Sequence, residues 1–258
     1  MSEGAVHLQI RAGVASVVFD RPQARNAMTW SMYSELIEIG ERLQGDRSVR
    51  VATFRGAGGA AFVAGTDIGQ FSAFEGAGDG VAYEGRIDAC IDLLERLPMP
   101  TLAIVEGWAV GGGLAITTAC DFRIATPASR FGVPIARTLG NCLSIANLAR
   151  LSAAFGVQRV KRMLMLAELI GAEEALACGY LAQLCEAAEI DAAAACLCER
   201  VLALAPVTQS VSKEGLRRLH AHGLPDGEDL IRRAYGSEDF HEGVAAFVAK
   251  RSPEWGGI

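Results

Sequence analysis

A glycine-rich segment, Glu106-Gly-Trp-Ala-Val-Gly-Gly-Gly-Leu114, restricts the fold of this chain more than any other stretch. It follows residues 101–105, an apolar run typical of a buried strand, and leads into residues 113–119, which are apolar enough for a buried helix. Glycine lacks a Cβ, so the backbone here can turn sharply and come close to another backbone or to a ligand. The pattern predicts a strand, a tight turn and a helix N-terminus, where unpaired N–H groups attract a negatively charged oxygen.

The segment Ala61-Phe-Val-Ala-Gly-Thr-Asp-Ile68 has the same character, with small residues at the end of a short apolar run. Close packing of helices and strands would explain either segment alone. Together they predict two sets of backbone N–H groups that converge on one carbonyl oxygen, an arrangement called an oxyanion hole.

Periodicity elsewhere predicts an α/β core followed by a helical C-terminal region. The predicted elements are a β-hairpin over residues 6–11 and 14–20, helices over 29–44 and 81–97, and strands over 49–55, 101–105 and 122–125. This strand–helix–strand order favours a largely parallel sheet covered by helices. From about residue 143 the strand signals nearly vanish. We therefore assign residues 1–200 to a core domain and residues 201–258 to a C-terminal helical region.

Composition and charge argue against several classes of protein. The net charge of −6 does not suit a nucleic-acid binder. The N-terminus lacks the features of a signal peptide, and the longest uncharged stretch is too short to cross a bilayer, so we expect no membrane partner. The seven cysteines sit mostly among apolar neighbours, which is typical of reduced thiols in a cytoplasmic protein. Their spacing predicts no metal site and no cofactor.

Four motifs, in order along the chain, resemble those of the crotonase (enoyl-CoA hydratase/isomerase) superfamily. They are Arg21-Pro-Gln-Ala-Arg-Asn-Ala27, similar to the signature around the coenzyme A nucleotide and pantetheine; Phe62-Val-Ala-Gly-Thr-Asp-Ile68, similar to the first oxyanion-hole segment; Gly107-Trp-Ala-Val-Gly-Gly-Gly113 with Cys120-Asp121, similar to the second; and Glu242-Gly-Val-Ala-Ala-Phe-Val-Ala-Lys-Arg-Ser-Pro253, similar to the closing helix. The resemblance implies a crotonase-like superhelix of stacked ββα turns with a C-terminal helical trimerisation region. It also implies an acyl-CoA substrate, with coenzyme A present only as part of it, and a homotrimer or a dimer of trimers.

The resemblance also assigns roles to individual residues. The two oxyanion donors, the catalytic groups, fall on the backbone N–H groups of Thr66 and Gly112. Lys250 resembles a coenzyme A phosphate contact that a neighbouring subunit often supplies. Asp67 in this motif more often anchors the loop or caps the next helix than acts as a base. The substrate-binding residues that the resemblance implies are Ala24, Arg25, Ala27, Ala64 (where the backbone binds adenine or pantetheine), Gly65, Asp67, Ile68, Trp108 (a wall of the acyl pocket), Gly111, Ile135 and Lys250.

The chain departs from the superfamily at the two glutamates that its hydratases use as general acid and base. Those positions hold Ala115 and Ile135, and neither side chain can transfer a proton. Ordinary hydratase or isomerase chemistry is therefore not expected. The side chains that could take over are Cys142, Arg137, Glu84 and Asp88. Each also has a structural interpretation: Cys142 as a small buried thiol at a helix start, and Glu84 and Asp88 as part of a solvated helix face.

Three functions stay open at this point, and the first is favoured. The chain is an acyl-CoA enzyme that stabilises an enolate or a tetrahedral intermediate with nonstandard acid and base groups, or it is a catalytically silent acyl-CoA-binding or assembly subunit. The third function is a dinucleotide-binding oxidoreductase, because Gly56-Ala-Gly58-Gly-Ala-Ala61 follows a predicted strand. Gly65 would interrupt the helix which that motif requires.

Overall fold

Two β-sheets organise the chain, which the computed structural model describes over residues 3–221, 223–224 and 226–255. The larger sheet has six strands in the order β1-β2-β3-β5-β7-β10. Its strands are β1 (Ala5–Arg11), β2 (Val14–Asp20), β3 (Val51–Gly56), β5 (Thr101–Val105), β7 (Phe122–Ala125) and β10 (Gln183–Leu184). Strands β1 and β2 form the predicted antiparallel hairpin, and the other pairs are parallel, as the strand–helix–strand order predicts.

A smaller sheet has the order β4-β6-β8-β9. Its strands are β4 (Ala61–Val63), β6 (Trp108–Val110), β8 (Arg130–Gly132) and β9 (Ile170–Gly171). Strands β3, β5 and β7 of the larger sheet are followed within a few residues by β4, β6 and β8 of the smaller sheet. Helices α2 and α3 then lead back to the larger sheet, so the chain winds as stacked turns of two strands and a helix. The expectation of a crotonase-like ββα superhelix is confirmed.

Helices cover both sheets and dominate the C-terminal part of the chain. They are α1 (Trp30–Gly45), α2 (Ala77–Glu95), α3 (Gly112–Ala119), α4 (Ile135–Thr138), α5 (Ile145–Phe155), α6 (Val157–Met165), α7 (Ala172–Ala177), α8 (Ile190–Leu202), α9 (Pro206–Ala221), α10 (Glu228–Tyr235) and α11 (Glu238–Val248). Thr29 caps α1 as predicted, because its hydroxyl accepts the N–H of Met32 at 3.3 Å. Helix α2 begins four residues before its predicted start, where the Asp79 carboxylate accepts the N–H groups of Glu75 and Gly76.

Three apolar clusters form the core. The largest fills the space between the sheets and helices α1, α2 and α3, where the rings of Phe19 and Phe62 meet edge to face at 5.4 Å. A second cluster packs α8 against the other face of the large sheet. The third joins Phe71, Tyr235 and Phe240 and brings α10 against α2 and α11 against the 3-10 helix Ile68–Ala73.

The C-terminal helices attach to the core through buried polar contacts as well. Asp121 accepts the N–H of Thr101 at 2.7 Å and its hydroxyl at 2.8 Å, which ties the end of α3 to the start of β5. Lys213 of α9 donates to the same carboxylate at 2.7 Å. The division into two units at residue 200 stays a prediction, and its second unit includes residues outside the described ranges.

Candidate active site

The two small-residue segments meet backbone to backbone, and this closeness explains their composition. A Cβ on Gly111 would lie 3.6 Å from the Cα of Gly65, and a Cβ on Gly113 would overlap the backbone carbonyl of Val63. Gly65 and Gly111 also have positive φ values of 97° and 55°, which side chains disfavour. The glycines therefore allow the turn after β4 and the start of α3 to pack in direct contact.

Two N–H groups at this junction are left without an acceptor. Residues beside them are paired: Asp67 N–H donates to Met28 O at 2.8 Å, and Gly111 N–H donates to Gly132 O at 3.0 Å. Among the residues that the structure describes, none accepts a hydrogen bond from the N–H of Thr66. The N–H of Gly112, the first residue of α3, likewise has no acceptor within its own helix.

Both segments line one cavity of about 560 Å³, whose wall is mostly apolar. The predicted residues that line it are Thr66, Gly112, Ala24, Arg25, Ala27, Ala64, Gly65, Asp67, Ile68, Gly111 and Ile135. The cavity size and its few polar groups are typical of a small-molecule site. The structure thus brings together all but two of the residues that the sequence selects.

Trp108 and Lys250 are the two predicted residues that lie outside the cavity wall. The Trp108 ring is 37% exposed, and the guanidinium of Arg25 lies 5.7 Å from its centre. The role of Trp108 as a wall of the acyl pocket stays a prediction, since its ring lies beside Arg25, which lines the cavity. Lys250 follows α11 and is exposed, so its contact with a ligand bound to a neighbouring subunit stays a prediction.

A tight turn before α1 carries Ala24, Arg25 and Ala27 into the cavity, and Asn26 holds its shape. Asn26 is fully buried; its amide donates to Ala57 O at 3.0 Å and Ala61 O at 2.8 Å, and its oxygen accepts the Arg21 N–H at 2.9 Å. Sequence reasoning did not select Asn26. The φ of this position is 57°, and asparagine is among the few residues that tolerate a positive φ. An asparagine in this motif was therefore a local signal of the tight turn.

Asp67 has the structural role that the motif predicts. Its carboxylate accepts the Gly69 N–H at 3.1 Å, which caps a short 3-10 helix, and it forms an ion pair with Arg21 at 2.8 Å. Both partners fix the carboxylate against the turn, so Asp67 holds the loop that carries Thr66.

Three hydroxyl groups form a chain behind the two free N–H groups. The Thr66 hydroxyl lies 2.9 Å from the Tyr33 hydroxyl and 2.9 Å from the Tyr83 hydroxyl. Burial raises the pKa of both tyrosines, so they stay neutral at physiological pH. The side chain of Thr66 is therefore held on two sides, and the peptide that carries its N–H is held with it.

Ala115 and Ile135, the two positions where the resemblance places the glutamates of hydratases, have apolar side chains. Ala115 and Ile135 both line the cavity and pack against the main core. No carboxylate stands at either position.

Glu84 of α2 is a buried carboxylate in the cavity wall, which contradicts its interpretation as part of a solvated helix face. The residue is 2% exposed. Its carboxylate accepts the Tyr235 hydroxyl at 2.6 Å and the Ser144 N–H at 3.1 Å. Burial raises the pKa of Glu84 to about 7, and these two hydrogen bonds oppose that rise.

The other three candidate acid–base residues lie outside the cavity wall. Asp88 is half-buried and accepts hydrogen bonds from Ser144 and Asn147 at 2.8 and 3.1 Å. Burial raises the pKa of Cys142 to about 12, and its thiol donates to a backbone carbonyl, so the thiolate needed for a nucleophile is not available. Arg137 is exposed on α4.

Protonation of Glu84 links the stability of the protein to pH. Its carboxyl keeps the proton up to about pH 7 in the folded protein but only to about pH 4.5 in the unfolded chain. Folding therefore takes up a proton, and this stabilisation is fully present below pH 4.5 and lost as the pH rises through 7. We expect the free energy of unfolding of Glu84→Gln, relative to the original protein, to rise by about 3 kcal/mol from pH 4.5 to 8.

Urea unfolding of both proteins across this pH range measures the difference, and parallel pH curves would contradict it. The titratable groups around Glu84 are Tyr33, Tyr83, Asp88, Cys142 and Tyr235. Asp88 also has a raised pKa, and its contribution cancels when the two proteins are compared.

The dinucleotide hypothesis does not fit the geometry. The turn that contains Gly58 and Gly59 leads into strand β4, not into a helix. A dinucleotide-binding turn needs a helix N-terminus at that place to bind the pyrophosphate. Across the described residues, no group of three or more His, Cys, Asp or Glu side chains could hold a metal ion, and no helix has the length and hydropathy to span a membrane.

The superhelix of stacked ββα turns is the fold expected of the crotonase class of protein. Residues 9–257 match the enoyl-CoA hydratase/isomerase family, so the chain belongs to that family. It is similar to a carnitinyl-CoA dehydratase of Proteus mirabilis, with 32% identity over 98% of each chain. It is also similar to a short-chain-enoyl-CoA hydratase of Clostridium acetobutylicum, with 30% identity over 96% of each chain.

Solved structures agree with the family assignment. A methylmalonyl-CoA decarboxylase in complex with 2-nitronate-propionyl-CoA superposes with a TM-score of 0.89 at 26% identity, covering 98% of each chain. An enoyl-CoA hydratase/carnithine racemase from Magnetospirillum magneticum has a TM-score of 0.80 at 30% identity, covering 100% of this chain and 97% of that one. The superfamily expectation from the sequence is confirmed.

Proposed function

We propose that this protein binds an acyl-CoA thioester and stabilises an enolate or oxyanion formed from it between the N–H groups of Thr66 and Gly112. The proposal rests on two backbone N–H groups that have no hydrogen-bond acceptor and whose residues line one mostly apolar cavity. Family membership supports the acyl-CoA substrate class, as do the names of the relatives. Coenzyme A enters as part of the substrate, and we propose no resident cofactor.

The two donors act on the charge that develops on the thioester oxygen. They bind the carbonyl of the substrate and bind the enolate oxygen more strongly, because the enolate oxygen carries a full negative charge. Each donor of this kind typically stabilises the transition state by about 3 kcal/mol. The peptides need no rearrangement during the reaction, since Thr66 is held by Tyr33 and Tyr83 and Gly112 begins a packed helix.

The reaction itself is proposed to be nonstandard. With Ala115 and Ile135 in the cavity wall, no pair of glutamates is available to activate and add water. These side chains favour a reaction at the carbon next to the thioester over hydration. The same replacements also favour the alternative of a catalytically silent acyl-CoA-binding subunit. A measurement of turnover distinguishes the enzyme from the silent subunit.

Assembly and compartment form part of the same proposal. Helix α9 exposes Val207, Val211, Leu216 and Leu219, each more than 60% accessible in the single chain. Such an apolar face is typical of a subunit contact and supports the homotrimer or dimer of trimers. Seven free cysteines support the reducing environment of the cytoplasm.

A pair of matched ligands tests whether the N–H groups bind a thioester carbonyl. We expect butyryl-CoA to bind at least about tenfold more tightly than S-butyl-CoA, which has the same length but no carbonyl oxygen, because two hydrogen bonds are lost. Calorimetric titration of the purified protein with each ligand, and with free coenzyme A, gives the three affinities. Equal affinity for the two would contradict the assignment of Thr66 and Gly112, and absence of binding would contradict the acyl-CoA class.

Turnover is tested in deuterated water with a panel of acyl-CoA thioesters that includes butyryl-CoA and crotonyl-CoA. Mass spectrometry distinguishes deuterium gain, which indicates enolate formation, from addition of water and from loss of coenzyme A. We expect deuterium gain on at least one thioester. Tight binding with no mass change across the panel would favour the silent subunit.

A further inference from the structure

We propose that Glu84 is the acid–base residue of this enzyme and exchanges a proton with the substrate carbon next to the thioester. The inference rests on the proposed function, because it needs the enolate oxygen to be bound by Thr66 and Gly112. Its basis is geometric: a buried carboxylate lies in the wall of the cavity that both oxyanion segments line.

Two carboxylates line this cavity among the described residues, and one is already committed. Asp67 forms an ion pair with Arg21 and caps the following 3-10 helix, so its oxygens face the loop that it holds. Glu84 has no cationic partner among the described residues, and its two hydrogen bonds come from a phenol and a peptide N–H. It therefore keeps lone pairs on a carboxylate that can accept a proton.

Glu84 lines the same cavity as the two proposed oxyanion donors. The Tyr83 hydroxyl belongs to the residue directly before Glu84 on α2, and the Tyr33 hydroxyl belongs to the neighbouring helix α1. Both hydroxyls contact the Thr66 hydroxyl at 2.9 Å. Since Glu84, Thr66 and Gly112 line one cavity, the proposal places the carbon next to the bound thioester beside Glu84.

Tyr235 orients the carboxylate. Its hydroxyl oxygen accepts the Asn141 amide at 2.9 Å, so its proton is directed to Glu84 at 2.6 Å. Gly80, one helical turn before Glu84, makes this possible, because a Cβ there would overlap the Tyr235 ring. Asn141 and Tyr235 are positioning residues in this arrangement.

The proton transfer balances without another reactant. The ionised carboxylate takes a proton from the carbon next to the thioester, so the C–H bond breaks and an O–H bond forms on Glu84. The electron pair of the C–H bond becomes part of the enolate, whose oxygen accepts the Thr66 and Gly112 N–H groups. Glu84 then returns a proton to that carbon, or to a conjugated carbon further along the chain. A pKa near neutrality suits a group that must both accept and donate.

The test compares deuterium exchange and binding in the full-length protein and three variants, with the thioester that the unmodified protein exchanges. We expect Glu84→Gln to lower the exchange rate by about 10²–10⁴-fold and to change the affinity for that thioester by less than about threefold. Cys142→Ala is the control, since this thiol lies outside the cavity wall, and it should exchange at the original rate. Unchanged affinity in Glu84→Gln shows that the variant is folded.

Tyr235→Phe gives an independent measurement of the positioning role. The Tyr235 hydroxyl donates to the ionised carboxylate and lowers the pKa of Glu84. Loss of this hydroxyl should therefore raise the pKa of Glu84 and move the acidic limb of the pH profile of the exchange rate to higher pH. Exchange that persists in Glu84→Gln, or an unmoved limb in Tyr235→Phe, would overturn the assignment and leave the oxyanion hole standing. If the unmodified protein binds acyl-CoA but exchanges no proton, both proposals fail; if it binds none, the proposed function fails first.

Discussion

Gly113→Ala is expected to lower the free energy of unfolding by at least about 3 kcal/mol, the upper end of the usual cost of overpacking. A Cβ at this position would overlap the carbonyl oxygen of Val63 and lie 2.8 Å from its carbonyl carbon. Both atoms belong to the backbone of strand β4, so no side-chain rotation can relieve the overlap. Strand β4 and helix α3 would have to separate, although the core cluster holds them together.

Gly85→Ala provides a matched control for this prediction. Gly85 lies in the middle of α2, and a Cβ there meets no atom within 4 Å. The same substitution should therefore stabilise the protein by up to about 1 kcal/mol, because alanine favours the helix more than glycine does. Urea unfolding of both variants measures the two changes. A loss below 1 kcal/mol in Gly113→Ala would contradict the close approach of strand and helix.

Features that depend on local chemistry could be predicted from the sequence. The alternation of apolar and polar residues predicts the first hairpin, and the Thr29 hydroxyl predicts the start of α1. Small residues mark the two segments that meet at the cavity, where we propose an oxyanion hole. Strand β6 was missed because its three residues lie inside the glycine-rich segment, and a turn explains that composition equally well. Strands β9 and β10 have two residues each, too few to produce a periodic signal.

The interpretation of Glu84 as part of a solvated helix face, the alternative to its acid–base role, was wrong for a different physical reason. A glutamate on a helix is usually exposed, because burying its charge is costly. The prediction ignored a signal that was present: Glu84 lies three residues before Ile87, on the face that Ile87 and Ile91 bury. Its partner Tyr235 comes from α10, more than a hundred residues away in the chain, and no local pattern announces that contact.

The same separation explains why the site could be predicted only in part. Donor groups are backbone atoms, and their positions follow from small residues at strand ends. Acid–base groups are side chains whose protonation depends on burial and on partners from distant elements. In this chain both segments with the predicted donors line the cavity, and the donor role of Thr66 and Gly112 stays a prediction. Of the four acid–base candidates, Glu84 lies in the cavity wall, whereas Asp88, Cys142 and Arg137 lie outside it.

Gly112→Ala is expected to lower the exchange rate about 10²-fold by displacing one oxyanion donor. A Cβ on Gly112 would overlap the Tyr33 hydroxyl. Tyr33 is almost fully buried and its hydroxyl is bound to Thr66, so the phenol cannot rotate away. The backbone at residue 112 must shift instead, and its N–H moves with it.

Tyr33→Phe in the same chain should relieve this overlap. Without the hydroxyl, the added Cβ would lie 3.7 Å from Tyr33 Cζ and 3.6 Å from Thr66 Oγ1, which are ordinary contacts. The Thr66 hydroxyl keeps its bond to Tyr83, so Tyr33→Phe alone should cost only about 1 kcal/mol of stability and little activity. The double variant should therefore recover most of the exchange rate that Gly112→Ala loses. A double variant as slow as Gly112→Ala would mean that the N–H position does not depend on the phenol. Recovery would show that the Tyr33 hydroxyl is the group that requires glycine at residue 112.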